Sequence, residues 1–364
     1  MRNIKGIINR HRDLFNLFQL FGETPPFPLL ILSHLTLACQ CACEMCYQRA
    51  PGFPHRGEEW MSESLFDALL CQSRRFLRRP LIHLYGGEPL LHPGLPEILA
   101  LLERRGFAAT LNTNGEHLEE RAALLARSRI RMINVSLDGI GDAHDALRRR
   151  AGLFDHAVAG IQALRARDPR VHLNINYVVN PTNVHRIYED LLGFERLVRG
   201  TRIDYLSIEH LAFTRGMLPF ARGIDAALLR RELSRVRRHR FAFPVSATPV
   251  VKDRDLERYY GSLEPLGREN CNVPWIALNV FPDGDVTPGG AMFTCTQVVG
   301  NLGEEEIFTI WNGEPMRAFR RRIRTAMPED CMRCCHTLHD SPVITCRPAD
   351  RTVPVPPPTG SADQ

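Results

Sequence analysis

The chain has 364 residues, 44% of them hydrophobic, and a formal net charge of +5, enough for one large domain with a well buried core and a small second one. No apolar run approaches the ~18 residues that would cross a bilayer, so no transmembrane segment is expected and the chain reads as cytoplasmic. No basic block is interleaved with aromatics, which argues against nucleic-acid binding, and 11 cysteines without a secretory leader argue against a disulfide framework.

Residues 1–27 place Ile4, Ile7, Ile8, Phe15, Phe18 and Phe21 among arginines at near-helical spacing. That pattern predicts an amphipathic helix that packs on the rest of the chain or touches a membrane surface or a peptide substrate. Over residues 28–225 short apolar runs alternate with amphipathic ones. The strands expected are 29–37, 81–85, 108–112, 132–136, 171–178 and 205–210, with helices over 62–76, 95–105, 118–128, 154–167 and 184–197. Six strands, each followed by a helix or loop, predict an α/β fold, a partial (β/α)6 TIM-like barrel with helices outside a parallel sheet. In such folds the chemistry gathers where the strands end at their carboxyl side.

The unusual residues stand at those ends. The first strand runs into Cys39-Gln-Cys-Ala-Cys43-Glu-Met-Cys46-Tyr47. Thiols at x3 and x2 spacing fit three corners of one iron-sulphur cube and leave its fourth iron open; with Cys41 added, a zinc site is the alternative. The second strand runs into Gly86-Gly87-Glu88-Pro89, the third into Asn112-Thr-Asn114-Gly115 and the fourth into Ser136-Leu-Asp138-Gly139, while Asn174 and Asn176 lie within the fifth. Any one of these is ordinary turn chemistry, but together they describe a ligand laid across a barrel mouth. Glycines admit close backbone approach, the Glu88 carboxylate suits an ammonium group, and Asn112, Asn114, Ser136 and Asp138 suit hydroxyls and a carboxylate. His83, Asn176 and Glu209 read either as substrate contacts or as hydrogen-bonded core residues.

Cys39-x3-Cys43-x2-Cys46, Gly86-Gly87-Glu88-Pro89 and Ser136-x-Asp138-Gly139 resemble, in order and spacing, the radical S-adenosylmethionine superfamily over roughly residues 29–210. The resemblance implies a 4Fe-4S cluster on Cys39, Cys43 and Cys46 whose fourth iron binds S-adenosyl-L-methionine. It implies that Gly86, Gly87 and Glu88 receive the methionine ammonium and that Ser136 and Asp138 contact its carboxylate or the ribose. Asn112, Asn114, Asn176 and Tyr47 complete the expected cofactor-binding set. One departure is visible: the aromatic residue usual just before the third cysteine is replaced by Met45, with Tyr47 following.

Residues 226–265 read as a helical linker, with a charged helix near 228–239. In the cysteine-rich stretch 266–347, a hairpin is expected over 275–280 and 285–288, then a helix over 314–324. Cys331-Met-Arg-Cys334-Cys335 follows, with Cys346 beyond. This stretch resembles a degenerate SPASM or twitch extension, which implies auxiliary 4Fe-4S binding. Gly289 stands where that pattern has a cysteine. One auxiliary cluster is expected, on Cys331, Cys334 and Cys346 with Cys335, Cys271 or Cys295 as the fourth ligand; a zinc knuckle is the alternative. Residues 348–364 read as a disordered Pro-rich tail.

The resemblance implies a radical enzyme of the oxidoreductase or maturase type. Such an enzyme reductively cleaves S-adenosyl-L-methionine to a 5'-deoxyadenosyl radical and takes hydrogen from a peptide or small natural-product substrate, in maturation, crosslinking, epimerisation or dehydrogenation. Its expected partners are that substrate and a reductant such as flavodoxin or ferredoxin. The alternative is a non-catalytic iron-sulphur protein for electron transfer or redox sensing.

Overall fold

The computed structural model describes residues 17–49, 53, 59–197, 201–266, 271–289 and 297–334. Cys295, Cys335, Cys346, the tail 348–364 and most of the expected N-terminal helix lie outside them; within that helix, Leu17–Phe21 forms a 3-10 turn.

All six expected strands are present: β1 Leu30–Thr36, β2 Leu81–Gly86, β3 Ala109–Thr113, β4 Ile130–Ser136, β5 His172–Val178 and β6 Tyr205–Glu209. They pair in parallel in that order, as strand-helix-strand connections require. Their alternation is read out in the packing. Ile31, Ile82, Leu84, Leu111, Ile133, Val135, Ile175 and Leu206 face the helices in one continuous apolar core. The intervening His83, Asn134, Asn174, Asn176 and Ser207 are buried on the other face.

Two features differ from expectation. Residues 226–265 are more than a helical linker. The helix Ala226–Arg238 forms, capped by the Asp225 carboxylate, which accepts the N–H groups of Ala227 and Leu228 at 2.8 and 2.9 Å. It then leads into β7, Val245–Thr248, which lies parallel to β6 and makes a seventh strand. Four residues between Pro244 and Pro249 are too few to show an alternation of their own.

The expected hairpin forms as β8 Ala277–Val280 and β9 Asp285–Pro288, and β8 lies parallel to β1 with Leu30 opposite Ala277. A short β10, Gly300–Asn301, completes a ten-stranded sheet of order β10-β9-β8-β1-β2-β3-β4-β5-β6-β7. The C-terminal region therefore continues the barrel sheet. A second apolar cluster joins Leu30 and Leu32 of β1 to Trp275, Phe319, Ile323, Cys331 and Cys334. No helix among the described residues is long and apolar enough to cross a membrane.

Candidate active site at the barrel mouth

β1 ends in the cysteine loop, which is held from two sides. The Ala42 N–H donates to the Arg148 carbonyl at 3.1 Å, and Asn114 Nδ2 lies 3.5 Å from Cys41 Sγ and 3.8 Å from Cys39 Sγ. Cys41 and Cys43 are buried and Cys39 and Cys46 half-buried. A hydrogen bond from Cys41 and, after burial's opposing pull, the Arg148 charge bring the Cys43 thiol down to about 6. Burial pushes the Cys46 thiol up.

The β2 end must pass close under that loop, and only glycine allows it. A Cβ on Gly86, whose φ is +129°, would stand 2.1 Å from the Thr36 carbonyl oxygen, and one on Gly87 would stand 2.0 Å from that of Ala38. Backbone bonds close the gap, from Gly87 N to the Thr36 oxygen at 2.7 Å and from Glu88 N to the Ala38 oxygen at 2.8 Å.

Glu88 and Asp138, both read as cofactor contacts, are enclosed and hydrogen-bonded within the chain. Glu88 is buried and its carboxylate accepts three hydrogen bonds: Oε1 from Leu90 N at 3.1 Å and Thr113 Oγ1 at 2.7 Å, and Oε2 from Asn114 N at 2.7 Å. Through Thr113 and Asn114 it braces the end of β3. Burial nonetheless raises its pKa against those three donors. Asp138 is equally enclosed. It accepts from Val178 N at 2.7 Å and from Arg148 Nε at 2.7 Å, while its own N–H donates to His144 Nδ1 at 3.1 Å. Its work is to hold Arg148 and the β4–β5 junction.

The remaining expected residues do come together. A cavity at the barrel mouth has Cys39, Cys43 and Cys46 on one wall and Gly86, Gly87, Asn112, Asn114, Ser136 and Asn176 on the other. Asn112 is oriented by a ladder across three strands. Asn134 Nδ2 donates to its Oδ1 at 2.6 Å, and Asn174 Nδ2 donates to Asn134 Oδ1 at 2.9 Å. Asn176 Oδ1 is buried with no hydrogen-bond partner, an acceptor left for something inside the cavity. Of Tyr47, the backbone alone is described, in the turn Tyr47–Arg49.

Sequence reasoning missed Tyr85, Thr113, Val178 and Arg148 as cavity-lining residues and left Glu209, which also lines it, undecided. The signal for Arg148 was faint, one residue of an Arg148-Arg149-Arg150 run that reads as a solvated helix end. A thiol triplet on one wall, glycines where a Cβ has no room, and an unpaired amide oxygen opposite fit a metal-sulphur cluster carrying an amino-acid-like ligand.

A second thiol group lies in the C-terminal region. Cys271 packs against the apolar cluster that contains Cys331 and Cys334. Of the expected auxiliary set, Cys331, Cys334 and Cys271 are described and share this cluster, while Cys295, Cys335 and Cys346 lie outside the described residues. At Gly289 a Cβ would sit 2.3 Å from the Ala277 carbonyl carbon, so no cysteine fits there with the backbone as it stands.

Comparison with known proteins agrees with this geometry. A sequence profile of the radical SAM superfamily matches residues 33–192, and one described as an iron-sulfur cluster-binding domain, SPASM, matches residues 271–335. Fe-coproporphyrin III synthase of Methanosarcina barkeri is 30% identical over 173 residues, which span 47% of this chain and 42% of that protein. Pre-heme d1 synthase of Dinoroseobacter shibae is 25% identical over 361 residues, covering 87% of this chain and 83% of its own. Among solved structures, Streptococcus suis SuiB bound to S-adenosylmethionine shares the fold with a TM-score of 0.65 at 17% identity, over 89% of this chain and 75% of that one. The chain belongs to the radical SAM superfamily and carries a SPASM-type iron-sulphur extension.

Proposed function

We propose that this protein reductively cleaves S-adenosyl-L-methionine and uses the product to take hydrogen from a peptide or small natural-product substrate. The observation that carries the reading is the single cavity joining Cys39, Cys43 and Cys46 to Gly86, Gly87, Ser136 and Asn176. Bound there, a 4Fe-4S cluster supplies one electron to the carbon-sulphur bond of its ligand. The chain's own residues hold and orient. Gly86 and Gly87 let the backbone approach, Asn176 offers an acceptor, Asn112 is fixed by Asn134 of β4, and Asn114 by the Glu116 N–H in the loop after β3. The half-enclosed barrel mouth keeps water from the reacting atoms.

One relative that aligns along most of both chains is named a pre-heme d1 synthase, which supports the small-molecule arm of this reading. In the C-terminal region we assign Cys271, Cys331 and Cys334 to one auxiliary metal-sulphur centre, supported by their packing in one apolar cluster. The test is anaerobic reconstitution with iron and sulphide, followed by dithionite and S-adenosyl-L-methionine. 5'-Deoxyadenosine is expected, and its absence alongside a reducible cluster would point to an electron-transfer protein instead.

A further inference from the structure

Asn272 is fully buried, and neither its side-chain nitrogen nor its oxygen has a hydrogen-bond partner. Buried side-chain amides are nearly always paired, so one unpaired at both ends points to a group that completes it. Local structure does not use this side chain. The Asn272 carbonyl accepts the Trp275 N–H at 3.0 Å to open the short helix Val273–Trp275, but the side chain makes no capping bond.

The polar groups around that turn are engaged elsewhere. Trp275 Nε1 donates to the Gly22 carbonyl at 2.7 Å, and Arg320 Nε donates to that of Pro274 at 2.9 Å. Asn272 stands between Cys271 and Val273, both packed in the cluster that holds Cys331 and Cys334. Cys271 is its chain neighbour, so a centre held on these thiols would bring sulphur acceptors to this turn. Either end of the amide can carry the donor, since the two are interchangeable by rotation about the terminal bond.

We infer that the Asn272 side-chain N–H donates to a sulphur atom of the metal-sulphur centre on Cys271, Cys331 and Cys334 and so sets its reduction potential. The inference rests on the assignment of that centre made above. Reduction adds negative charge to the sulphurs, which strengthens an N–H···S bond, so a donor there stabilises the reduced form and raises the potential. Asn272 is a positioning and tuning residue, with no contact to substrate required.

The experiment is an EPR-monitored redox titration of the full chain, anaerobically reconstituted, in a Cys39→Ala/Cys43→Ala/Cys46→Ala background that leaves the second centre alone. Asn272→Leu is expected to keep the iron content and move the midpoint to a more negative value. Asn272→Asp, which has the same shape but accepts instead of donating, is expected to move it further in the same direction, and stands alone where the leucine variant does not fold. An unchanged midpoint, or loss of iron in both variants, overturns the inference and leaves the assigned centre standing. A background protein that takes up no iron overturns the assignment itself.

Discussion

Arg148 reaches two ways at once: its Nε donates to the buried Asp138 carboxylate at 2.7 Å, while its carbonyl accepts the Ala42 N–H inside the cysteine loop at 3.1 Å. Asp138 thereby fixes the thiol loop from a distance, through an ion pair whose acidic side chain is fully enclosed and whose basic one is 11% exposed. Replacing Asp138 by Asn leaves a buried guanidinium without its counter-charge, which typically costs about 3–5 kcal/mol. Urea denaturation of Asp138→Asn should show a loss of that order, and reconstitution should load less iron on Cys39, Cys43 and Cys46. Full stability in the variant would mean that the pair does not hold the loop.

Gly87→Ala tests the close approach of the β1 and β2 ends. Its methyl group would meet the Ala38 oxygen at 2.0 Å and carbon at 2.6 Å, both backbone atoms that cannot turn aside. Overpacking of this kind costs about 1–3 kcal/mol. Because Ala38 is the residue before Cys39, the displacement should appear first as weaker binding of S-adenosyl-L-methionine by calorimetry, at a fold stability lowered by that amount.

His144 gives a signature in pH. It is buried, its Nδ1 accepts the Asp138 N–H, and burial, with the Arg148 charge beside it, pushes its pKa down to about 3. A histidine held neutral in this way contributes stability that is complete above its ordinary value of 6.5 and is lost as pH falls from there toward 3. The melting temperature should therefore drop across that window, by the equivalent of a few kcal/mol at most, on the order of one per pH unit. In His144→Gln the slope should flatten; an unchanged slope would assign the acid sensitivity to other groups.

Asn176→Ala separates ligand binding from folding. The unpaired Oδ1 contributes nothing to the empty protein, so its removal should leave the melting temperature unchanged or raise it slightly. Affinity for S-adenosyl-L-methionine should fall by about tenfold, the value of one lost hydrogen bond, roughly 1–1.5 kcal/mol.

The six long strands were legible because each carries several alternating apolar positions, and four of them run into polar or glycine-rich ends that are unusual only when taken together. Residue types at the rim were equally plain, but their directions were not. Glu88 and Asp138 look like ligand carboxylates in a linear string, and only the fold shows Glu88 bonded to Thr113 and the Leu90 and Asn114 amides, and Asp138 to Arg148 and the Val178 amide. Gly289 was visible as a departure from a pattern, whereas the reason, an Ala277 backbone pressed against it, is a property of strand pairing. Cys271 stood among the candidate ligands in the sequence, but its packing against the cluster that holds Trp275, Phe319, Cys331 and Cys334, some sixty residues on, belongs to the fold and not to spacing.

The parallel alignment of β8 with β1 also fixes a distance. Cys39 follows the carboxyl end of β1, whereas Cys271 precedes the amino end of β8, so the two thiol groups hang from opposite ends of one pair of neighbouring strands. At about 3.3 Å per residue, the seven residues of β1 alone set them on the order of 20 Å apart. The two thiol groups are thus held a full strand length apart, one at each end of the barrel.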